Sequence, residues 1–566
     1  MDNARLADLL FGDVTQTEED IAKRYPQREL PEGAKVTRFG PSPTGFVHFG
    51  GLFPVFVSER LAHQSGGVFY LRIEDTDAKR EVEGAAEGLV RTLEHYGVRF
   101  DEGAILGEDG KLADKGDYGP YRQSRRADIY HVFAKKLVAE GKAYPVFTTK
   151  EELERIKSAD KKSENSEKDW DGAAQERREQ QQKQRSITLE EVEKHLAAGD
   201  PYSVNILADG DGERKVKVTD LIKGTLELPE NDEDFVLLKS DGIPTYHFAH
   251  AVDDHLMGTT HVVRGEEWLP SLPKHLQLFR YLGFKPVKYM HIAQLMRLDE
   301  NGSKKKLSKR DMGANLDDYE RMGYAPECVA EYVMTLLNSN FEEWHAQNAD
   351  RSYLDFPFSI KKMSSSGCLF DFNKLNDVSK NVLSLFSVDK IYSETAQWAK
   401  KFDPEFFALL DRDPDYAKEI LSIGRGGKKP RKDFAVYADV RPYMDFFYDE
   451  LFTPDYTYPE NLKKEDIEKV LDMYPSVYDE SKEQNEWFDD LKAIAEKLGF
   501  APEMKLYKQE PEKYGGHIGD VAMILRVAVT GRQQSPDTYC VMKILGKERV
   551  VGRIEKAKNA LSERSI

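Results

Sequence analysis

The pattern of apolar and polar residues between positions 34 and 119 alternates between two periods. The runs KVTRFG and GVFYLRIED are short, apolar and rich in β-branched and aromatic residues, which predicts buried strands. A long apolar segment follows the first run, and EVEGAAEGLVRTLEHYG, after the second, has the spacing of an amphipathic helix. Strands that alternate with helices across short loops predict a parallel sheet with right-handed crossovers. We therefore predict the first half of a Rossmann-like domain.

The pattern changes between residues 120 and 245. A charged and glutamine-rich stretch, SADKKSENSEKDWDGAAQERREQQQKQRS, predicts a solvated helix or a mobile insertion. Thr188 and Glu191 then form a capping-box signature. The segments KVKVTDLIKGTLEL and DFVLLKSDGIPTYHF predict strands with turns. This part of the chain is therefore predicted to be a mixed α/β insert.

Strand followed by helix returns in THVVRGEEW, which predicts the second half of the parallel sheet. From about residue 300 onward, short amphipathic helices follow one another, with breaks at GRGGKKPRK and TPDYTYPE and without an internal repeat. The predicted fold is an α/β parallel-sheet (Rossmann-like) domain with a mixed α/β insert, followed by an all-α C-terminal region. The predicted segments are a polar, partly helical extension at 1–33, the two sheet halves at 34–119 and 246–299, the insert at 120–245, a connecting region at 300–378 and the helical region at 379–566.

The composition narrows the class of protein. At 566 residues and 64.7 kDa, with 40% hydrophobic residues, the chain can form about two to four domains. No apolar run approaches the ~18 residues that span a bilayer, and the N-terminus has no apolar signal core, so we expect a cytoplasmic protein with no membrane partner. The three cysteines lie far apart, which favours a reducing compartment. The net charge of −18 leaves phosphate binding to local basic segments.

The connection RFGPSPTGFVHFGG, residues 38–51, carries more polar chemistry than a turn requires. A helix N-terminus presents unpaired N–H groups and the positive end of the helix dipole, which favour phosphate. Gly50 and Gly51 would let a ligand approach the backbone closely, and His48 adds a donor beside them. The loop follows a predicted strand, and ligands of parallel sheets bind at the carboxyl ends of strands. The alternative is a glycine-rich connector with an incidental histidine.

Three further segments each allow two interpretations. Five of the seven residues from Lys304 to Arg310 are basic, which fits either a phosphate-binding loop or a solvated run of charge. RIEDTD, residues 72–77, ends the predicted second strand with three acids, which are either ligand groups or helix caps. Asp253–His255 suggests a metal site, but no other ligand cluster supports one.

Taken together, these motifs resemble those of a known family. A His-Gly turn in the first strand–helix unit and a KLSKR loop after the last strand of the sheet are similar, in kind and order, to the HIGH and KMSKS signatures of class I aminoacyl-tRNA synthetases. RFGPSPTGFVHFGG, RIEDTD, GPYRQS, YHFAHAVDDHLMG and VVRGEEW resemble segments of the bacterial-type glutamyl-tRNA synthetases. GDVAMILRVAVTGRQQSPDTYCVMKILGKERV near the C-terminus does so too. The resemblance runs from about residue 35 to the end.

The resemblance implies an ATP-dependent ligase. Glutamate attacks the α-phosphorus of ATP to give glutamyl-adenylate, and the terminal ribose of tRNA(Glu) then takes the glutamyl group. Such a reaction needs positioning and stabilisation of phosphate charge, with no protein nucleophile. ATP and Mg²⁺ are the expected cofactors, and the catalytic residues that the resemblance implies are His48, Lys306 and Lys309. The residues expected to contact ATP are His48, Gly50, Gly51, Glu267, Trp268, Leu295, Met296 and Lys309.

The resemblance also implies a glutamate pocket. Arginine can bind a carboxylate through two parallel hydrogen bonds, and an acid is the natural partner of the ammonium group. The matching residues are Arg38, Ser42, Glu74, Arg80, Tyr246, His250 and Arg264. The family usually has Asn where His250 stands, so the charge here could depend on pH. Many relatives carry a Cys-x-Cys zinc site where this chain has Val146 and Thr148, so we expect no structural zinc.

For tRNA, the resemblance assigns the acceptor end to the insert at 120–245, the stem to residues 300–378 and the anticodon to residues 379–566. Residues 425–432, RGGKKPRK, hold five basic residues and no acid, which predicts either contact with the phosphate backbone or a solvated loop. The candidate tRNA-binding residues are Arg425, Lys428, Lys429 and Arg431. We expect a monomer.

Three other functions remain open at this point. A glutaminyl-tRNA synthetase is disfavoured by PSPTG and by Arg264. A truncated relative that glutamylates a modified tRNA nucleoside would lack the helical C-terminal region found here. A catalytically inactive tRNA-binding paralogue is disfavoured because His48, Lys306 and Lys309 are all present.

Overall fold

The computed structural model describes residues 2–77, 79–147, 182–307 and 313–563. It divides into two compact units. The first comprises Met1–Asp318 and Ala330–Asp371, and the second comprises Tyr319–Val329 and Phe372–Ile566. No helix of the described residues is long and apolar enough to cross a membrane.

The first unit is built on parallel strands, as the sequence predicts. β1 pairs in parallel with β2, and β2 with β3, while β4 closes that edge in antiparallel fashion. On the other side, β10 pairs in parallel with β11. The Thr260 N–H donates to the Val36 carbonyl (2.9 Å) and so joins the start of β10 to β1. The strands concerned are β1 (Val36–Phe39), β2 (Val68–Leu71), β3 (Glu102–Leu106), β4 (Leu112–Lys115), β10 (His261–Gly265) and β11 (Lys288–Ile292).

Helices cover this sheet. α3 is apolar on almost every side and packs against β1, β2 and β10, so nearly all of its side chains are buried. α4 lies against β3 and buries one amphipathic face, as its sequence pattern predicts. The helices of this part are α1 (Asn3–Leu10), α2 (Glu18–Arg24), α3 (Phe49–His63), α4 (Ala85–His95), α5 (Ala127–Ala139), α7 (Tyr246–Leu256) and α8 (Leu272–Leu282).

The insert is mixed α and β, which confirms its predicted class. β5 (Ala143–Phe147), β6 (Tyr202–Ile206) and β9 (Val236–Leu238) form one sheet, and β7 (Lys215–Asp220) and β8 (Gly224–Pro229) form a hairpin. The predicted capping box starts α6 (Leu189–Ala198): the Thr188 hydroxyl accepts from the Glu191 N–H, and the Glu191 carboxylate accepts from the Thr188 N–H. Most of the glutamine-rich stretch lies outside the described residues.

One expectation about local structure is wrong, and another is incomplete. DFVLLKSDGIPTYHF ends in helix, because α7 begins at Tyr246, and its apolar residues Phe248, Val252 and Leu256 then recur every four positions. Residues 1–33 are also more than a polar extension. α1 packs on α5 through buried apolar side chains, and Arg28 makes two 2.8 Å hydrogen bonds to the Glu102 carboxylate of β3.

A small three-stranded sheet follows β11. β12 (Leu295–Leu298) pairs in antiparallel fashion with β13 (Lys304–Lys306) and in parallel with β14 (Cys368–Leu369). β13 therefore leads directly into the predicted KLSKR loop, of which residues 308–312 lie outside the described part. α9 (Leu316–Met322) and α10 (Pro326–Leu337) each contribute residues to both units, and α11 (Phe341–Gln347) belongs to the first.

From Phe372 onward, the described residues of the second unit form helices and no strand, as predicted. Its helices are separated at both predicted breaks, since residues 423–436 and 453–463 contain none. A kink at Gly546, whose φ is 75°, divides the last helix. The helices are α12 (Phe372–Leu385), α13 (Val388–Phe402), α14 (Pro404–Arg412), α15 (Pro414–Ser422), α16 (Val440–Met444), α17 (Lys464–Val477), α18 (Gln484–Lys497), α19 (Met504–Gln509), α20 (Ile518–Thr530) and α21 (Thr538–Glu563).

Candidate active site

A cavity of about 1440 Å³ opens in the first unit where β1, β2, β10 and β11 end. This is the edge at which parallel sheets bind ligands. Thirteen of the residues that the sequence singles out line it: Arg38, Ser42, His48, Gly50, Gly51, Glu74, Arg80, Tyr246, Arg264, Glu267, Trp268, Leu295 and Lys306. His250 and Met296 do not line it, and Lys309 lies outside the described residues.

The two signature loops adjoin each other through their backbones. The Phe49 N–H, at the start of α3, donates to the Ala314 carbonyl (2.8 Å), and the Leu316 N–H donates to the Val47 carbonyl (3.2 Å). His48 and Asn315 form an antiparallel bridge between these contacts. Residues 314–316, which follow the KLSKR segment in the chain, are thereby held beside the N-terminus of α3.

The glycines at the start of α3 are not required by the protein's own packing. Neither has a positive φ, and a Cβ at Gly50 would meet no atom within 4 Å. Glycine in a helix costs about 1 kcal/mol relative to alanine. The space above Gly50 therefore belongs to the cavity, where it lies at the N-terminal end of a fifteen-residue helix.

A buried network of charges forms the floor of the site. Asp254 of α7 accepts from the Arg72 guanidinium at 2.7 Å and from Arg38 Nε at 3.3 Å. Both arginines are held charged, and Arg72 and Arg38 drive the pKa of Asp254 well below its usual range against the opposing effect of burial. Arg38, which lines the cavity, is thus fixed from behind.

The neighbouring carboxylate, Asp253, binds one residue of the GPYRQS segment and two residues that follow that segment. It accepts hydrogen bonds from Arg126 Nε (2.8 Å), Gln123 Nε2 (2.9 Å) and the Tyr130 hydroxyl (2.7 Å). All four side chains are buried. Asp253 and Asp254 are therefore structural ion-pair partners, and the weak suggestion of a metal site at 253–255 has no support in this geometry.

Glu74 faces the cavity from the end of β2. Its carboxylate accepts from Arg72 Nη2 (2.8 Å), and burial raises the pKa of Glu74 despite that arginine. A Cβ at Gly40 would lie 2.3 Å from Glu74 Oε1. Gly40 of the GPSPTG segment is therefore the glycine that a close approach does require, because any side chain there would displace this carboxylate.

Arg264 enters the cavity from the end of β10 and is held by uncharged groups. Its Nε donates to His291 Nε2 (2.9 Å), and its Nη1 donates to His275 Nδ1 (3.1 Å). Its guanidinium lies 4.8 Å from the centre of the Tyr289 ring. Among the residues that the structure describes, no carboxylate forms an ion pair with Arg264. A buried cation in this state is arranged to receive an anion from the cavity.

His250 is buried behind the cavity wall. Its Nδ1 lies 2.7 Å from Asp254 Oδ2, and its Nε2 lies 2.9 Å from the Tyr289 hydroxyl. Burial lowers the pKa of His250 to about 4, although Asp254 acts in the opposite direction. Any change of the charge of His250 with pH is therefore shifted into the acid range, and near neutrality the buried ring is neutral.

The remaining predicted residues form the walls and the rim. Trp268 and Tyr246 pack together with ring centroids 4.4 Å apart, and the carboxylate of Glu267 lies over the backbone of Gly265. Leu295 is buried in β12, whereas Lys306 is exposed at the end of β13. The other rim and wall positions are Ser42, which is exposed, Arg80, which is exposed and paired with Asp77 (2.7 Å), and Met296, which packs against Gly367.

Sequence reasoning did not predict the hydrogen bonds that hold the RIEDTD strand end in place. Asp75 accepts from the Ser124 hydroxyl (2.6 Å), the Ser124 N–H (2.8 Å) and Arg122 Nε (3.1 Å). The Ile73 N–H donates to the Tyr121 carbonyl (2.8 Å). GPYRQS therefore fixes the second strand end. Its spacing contains no signal of that pairing, because the two segments meet only in the tertiary structure.

The basic turn at residues 425–432 lies in the second unit and is not uniform. Arg425 is partly buried and donates to the carbonyls of Leu383 (2.6 Å), Phe386 (3.2 Å) and Leu421 (3.1 Å), so it holds helix ends together. Arg431 pairs with Asp433 (2.8 Å). The side chains of Lys428, Lys429 and Lys432 are exposed. The lysines, rather than Arg425, are available to a partner.

Comparisons with known proteins match almost the whole length of the chain. The family model of class I tRNA synthetases (E and Q), catalytic domain, matches residues 35–377, and the anticodon binding domain model matches residues 429–558. The glutamate–tRNA ligase of Acetivibrio thermocellus is 47% identical over 560 residues, which cover 98% of this chain and 100% of that protein. That of Sorangium cellulosum is 42% identical over 578 residues, covering 97% and 99%.

Solved structures are also similar. The glutamate–tRNA synthetase of Elizabethkingia anophelis has a TM-score of 0.69 at 26% identity and covers 93% of this chain and 100% of that one. A glutamate tRNA ligase from Elizabethkingia meningosepticum, solved in complex with its amino acid, has a TM-score of 0.65 at 28% identity, covering 93% and 99%.

His250→Asn should flatten the pH dependence of the unfolding free energy between about pH 6.5 and pH 4. The folded state keeps the buried ring neutral down to a pKa of about 4, whereas the unfolded state takes up a proton below 6.5, so acid favours unfolding. Removing that proton uptake should lower the slope by up to about 1.4 kcal/mol per pH unit. Urea unfolding of both proteins across this range measures it, and identical slopes would contradict the assignment.

Proposed function

This chain belongs to the glutamate–tRNA ligases, which are class I aminoacyl-tRNA synthetases, and we propose how the residues of its cavity divide the work of the reaction. The enzyme activates L-glutamate with ATP to glutamyl-adenylate and transfers the glutamyl group to the 3′ end of tRNA(Glu). The matched anticodon binding domain distinguishes it from the truncated relative that lacks one. The roles below are proposals for individual residues, and we propose that the enzyme acts as a monomer.

The observation that carries the glutamate pocket is the uncompensated charge of Arg264. Its hydrogen-bond partners are imidazoles, a hydroxyl and a carbonyl, so a substrate carboxylate would supply the missing anion. Arg38, held by Asp254 behind it, is proposed to contact the second carboxylate. Glu74 is proposed to accept from the ammonium group, and Ser42, Arg80, Tyr246 and, through Tyr289, His250 complete the proposed pocket.

ATP is proposed to lie with its phosphates at the N-terminus of α3. The open space above Gly50 and the neighbouring His48 support this placement, because the positive end of the helix dipole favours phosphate. Glu267, Trp268, Leu295 and Met296 are proposed to hold the adenosine, the last by packing behind the cavity wall. These assignments put the α-phosphorus between the helix start and the glutamate pocket, which is the near-attack arrangement the first step needs.

Charge that develops on the phosphates is proposed to be stabilised by the basic loop. Lys306 lines the cavity at the end of β13, and Lys309 follows three residues later, outside the described part. Lysines that meet the leaving pyrophosphate would act mainly in the transition state. Mg²⁺ is proposed to arrive with ATP, held chiefly by its phosphates, since the described residues contain no group of three or more metal-ligating side chains.

Arg264→Ala should raise the KM for glutamate at least about 30-fold and leave the KM for ATP nearly unchanged. Removing one partner of a buried charge pair costs about 2–5 kcal/mol. The control is Arg214→Ala, which removes an exposed arginine from the insert. Steady-state aminoacylation with varied glutamate and ATP measures both constants, and an unchanged KM for glutamate in Arg264→Ala would remove this arginine from the pocket.

Gly50→Ala should stabilise the protein slightly and yet weaken ATP binding. Alanine improves a helix by about 1 kcal/mol relative to glycine, and the structure leaves room for the methyl group. That methyl group would occupy the proposed phosphate site. Gly88→Ala is the matched control, because Gly88 lies in α4 with equal room and does not itself line the cavity. If the two variants have equal KM values for ATP, the phosphates do not lie at α3.

Replacing Lys428 and Lys429 by alanine should weaken tRNA binding and flatten its salt dependence. Each lost phosphate contact should reduce the log–log slope by about 0.7–0.9. Replacing Lys463 and Lys469 of the same unit is the control. Affinity measured at several salt concentrations gives the slope. Equal slopes for the double variant and its control would mean that the turn is only solvated.

Arg425→Ala should instead lower the stability of the second unit, because three carbonyl contacts are lost.

A further inference from the structure

Besides the Tyr289 ring, the groups that surround Arg264 behind the cavity wall are four histidines and one aspartate. His275 and His291 contact the guanidinium directly, His247 and Asp220 contact those two rings, and His250 packs beside His275. None of the five lines the cavity. They lie where they can orient Arg264 without touching its ligand.

The hydrogen bonds fix the protonation of both contacting rings. An arginine guanidinium only donates, so the two ring nitrogens that face it, Nε2 of His291 and Nδ1 of His275, must accept. A charged imidazolium donates from both nitrogens and has no acceptor to offer. Both rings are therefore neutral in this arrangement. Burial also lowers the pKa of each, that of His275 well below its usual range.

The proton on each ring is placed by a second partner. His291 Nδ1 donates to Asp220 Oδ2 (2.7 Å), and that carboxylate is itself fixed by the N–H groups of Ile222 (2.9 Å) and Lys223 (2.8 Å). His275 Nε2 lies 2.9 Å from His247 Nδ1 and donates a hydrogen bond to it. Each of these two hydrogen bonds selects the tautomer in which the other ring nitrogen can accept from Arg264.

We propose that His275 and His291 are positioning residues which orient Arg264 through neutral acceptors and so reserve its positive charge for the substrate carboxylate. A carboxylate in either place would orient the arginine equally well but would neutralise it. The pocket would then lose its preference for an anionic side chain over the neutral amide of glutamine. This proposal rests on the proposed contact between Arg264 and glutamate, and it adds the reason why that contact discriminates by charge.

Two substitutions of equal size at position 275 separate orientation from charge. His275→Gln keeps a neutral acceptor and should leave the KM for glutamate within about threefold, since a neutral hydrogen bond is replaced by another. His275→Glu supplies an anionic acceptor and should raise the KM for glutamate at least about tenfold, because the guanidinium becomes paired. The Ki of glutamine as a competitor should change much less, and the KM for ATP should stay the same.

Asp220→Asn tests the tautomer of His291, because the tautomer and simple charge counting predict opposite changes in the KM for glutamate. Loss of a negative charge near Arg264 would, by itself, favour glutamate. The asparagine amide would instead donate to His291 Nδ1 and move the ring proton to Nε2, where it would oppose the Arg264 Nε–H. We expect the KM for glutamate to rise about fivefold or more, since an acceptor of the buried arginine is lost. Thermal unfolding of every variant checks the fold.

The outcomes distinguish this proposal from the proposed contact between Arg264 and glutamate on which it rests. If Arg264→Ala leaves the KM for glutamate unchanged, the contact with glutamate itself is wrong. If Arg264→Ala raises that KM while His275→Glu behaves like His275→Gln and Asp220→Asn binds glutamate as well as the parent, the contact stands and the neutral positioning is overturned. Should His275→Glu fail to fold, Asp220→Asn decides alone, with a raised KM in support and an unchanged or lowered one against.

Discussion

Two adjacent carboxylates on α7, Asp253 and Asp254, hold three arginines that come from separate parts of the chain. Arg38 belongs to β1, Arg72 follows β2 and Arg126 precedes α5. All five side chains are buried, and a buried charge is tolerated only when it is paired and hydrogen-bonded. The pairing therefore ties the two halves of the parallel sheet to each other. Arg38 and, through Arg72, Glu74 are thereby held at the strand ends that line the cavity.

One arginine in the same buried interior differs from the others in its partners. Arg38 and Arg72 have their carboxylates, whereas Arg264, at the same edge of the sheet, has neutral imidazoles. Among these three arginines, Arg38 and Arg72 are paired with carboxylates of the protein, and the partners of Arg264 leave its charge uncompensated. A synthetase that must distinguish a carboxylate from its amide gains selectivity from such a charge, because an uncharged ligand would leave it buried and unpaired.

The sequence predicted the fold class and thirteen of the residues that line the cavity, for identifiable reasons. The alternation of short apolar runs and helical segments predicts the parallel sheet, and the polar loops after β1 and β10 must then meet at one edge. The pattern failed where a short apolar run had two possible meanings, as at Tyr246–Phe248, where the helical spacing appears only further along α7. It also could not separate Arg425 from the lysines beside it, because the carbonyls that Arg425 contacts come from helices that meet only after folding.

What the sequence determined by itself is the chemistry available along the chain: candidate phosphate-binding loops, candidate carboxylate-binding arginines and a helical C-terminal region, in an order typical of one family. Only the tertiary structure decided which of these groups are free. The charge state of His250, the pairing of Asp253 and the neutral partners of Arg264 depend on burial and on residues far away in sequence. Burial removes the water that would otherwise satisfy a charge, so the partner brought by the fold decides whether a residue supports the structure or serves a ligand.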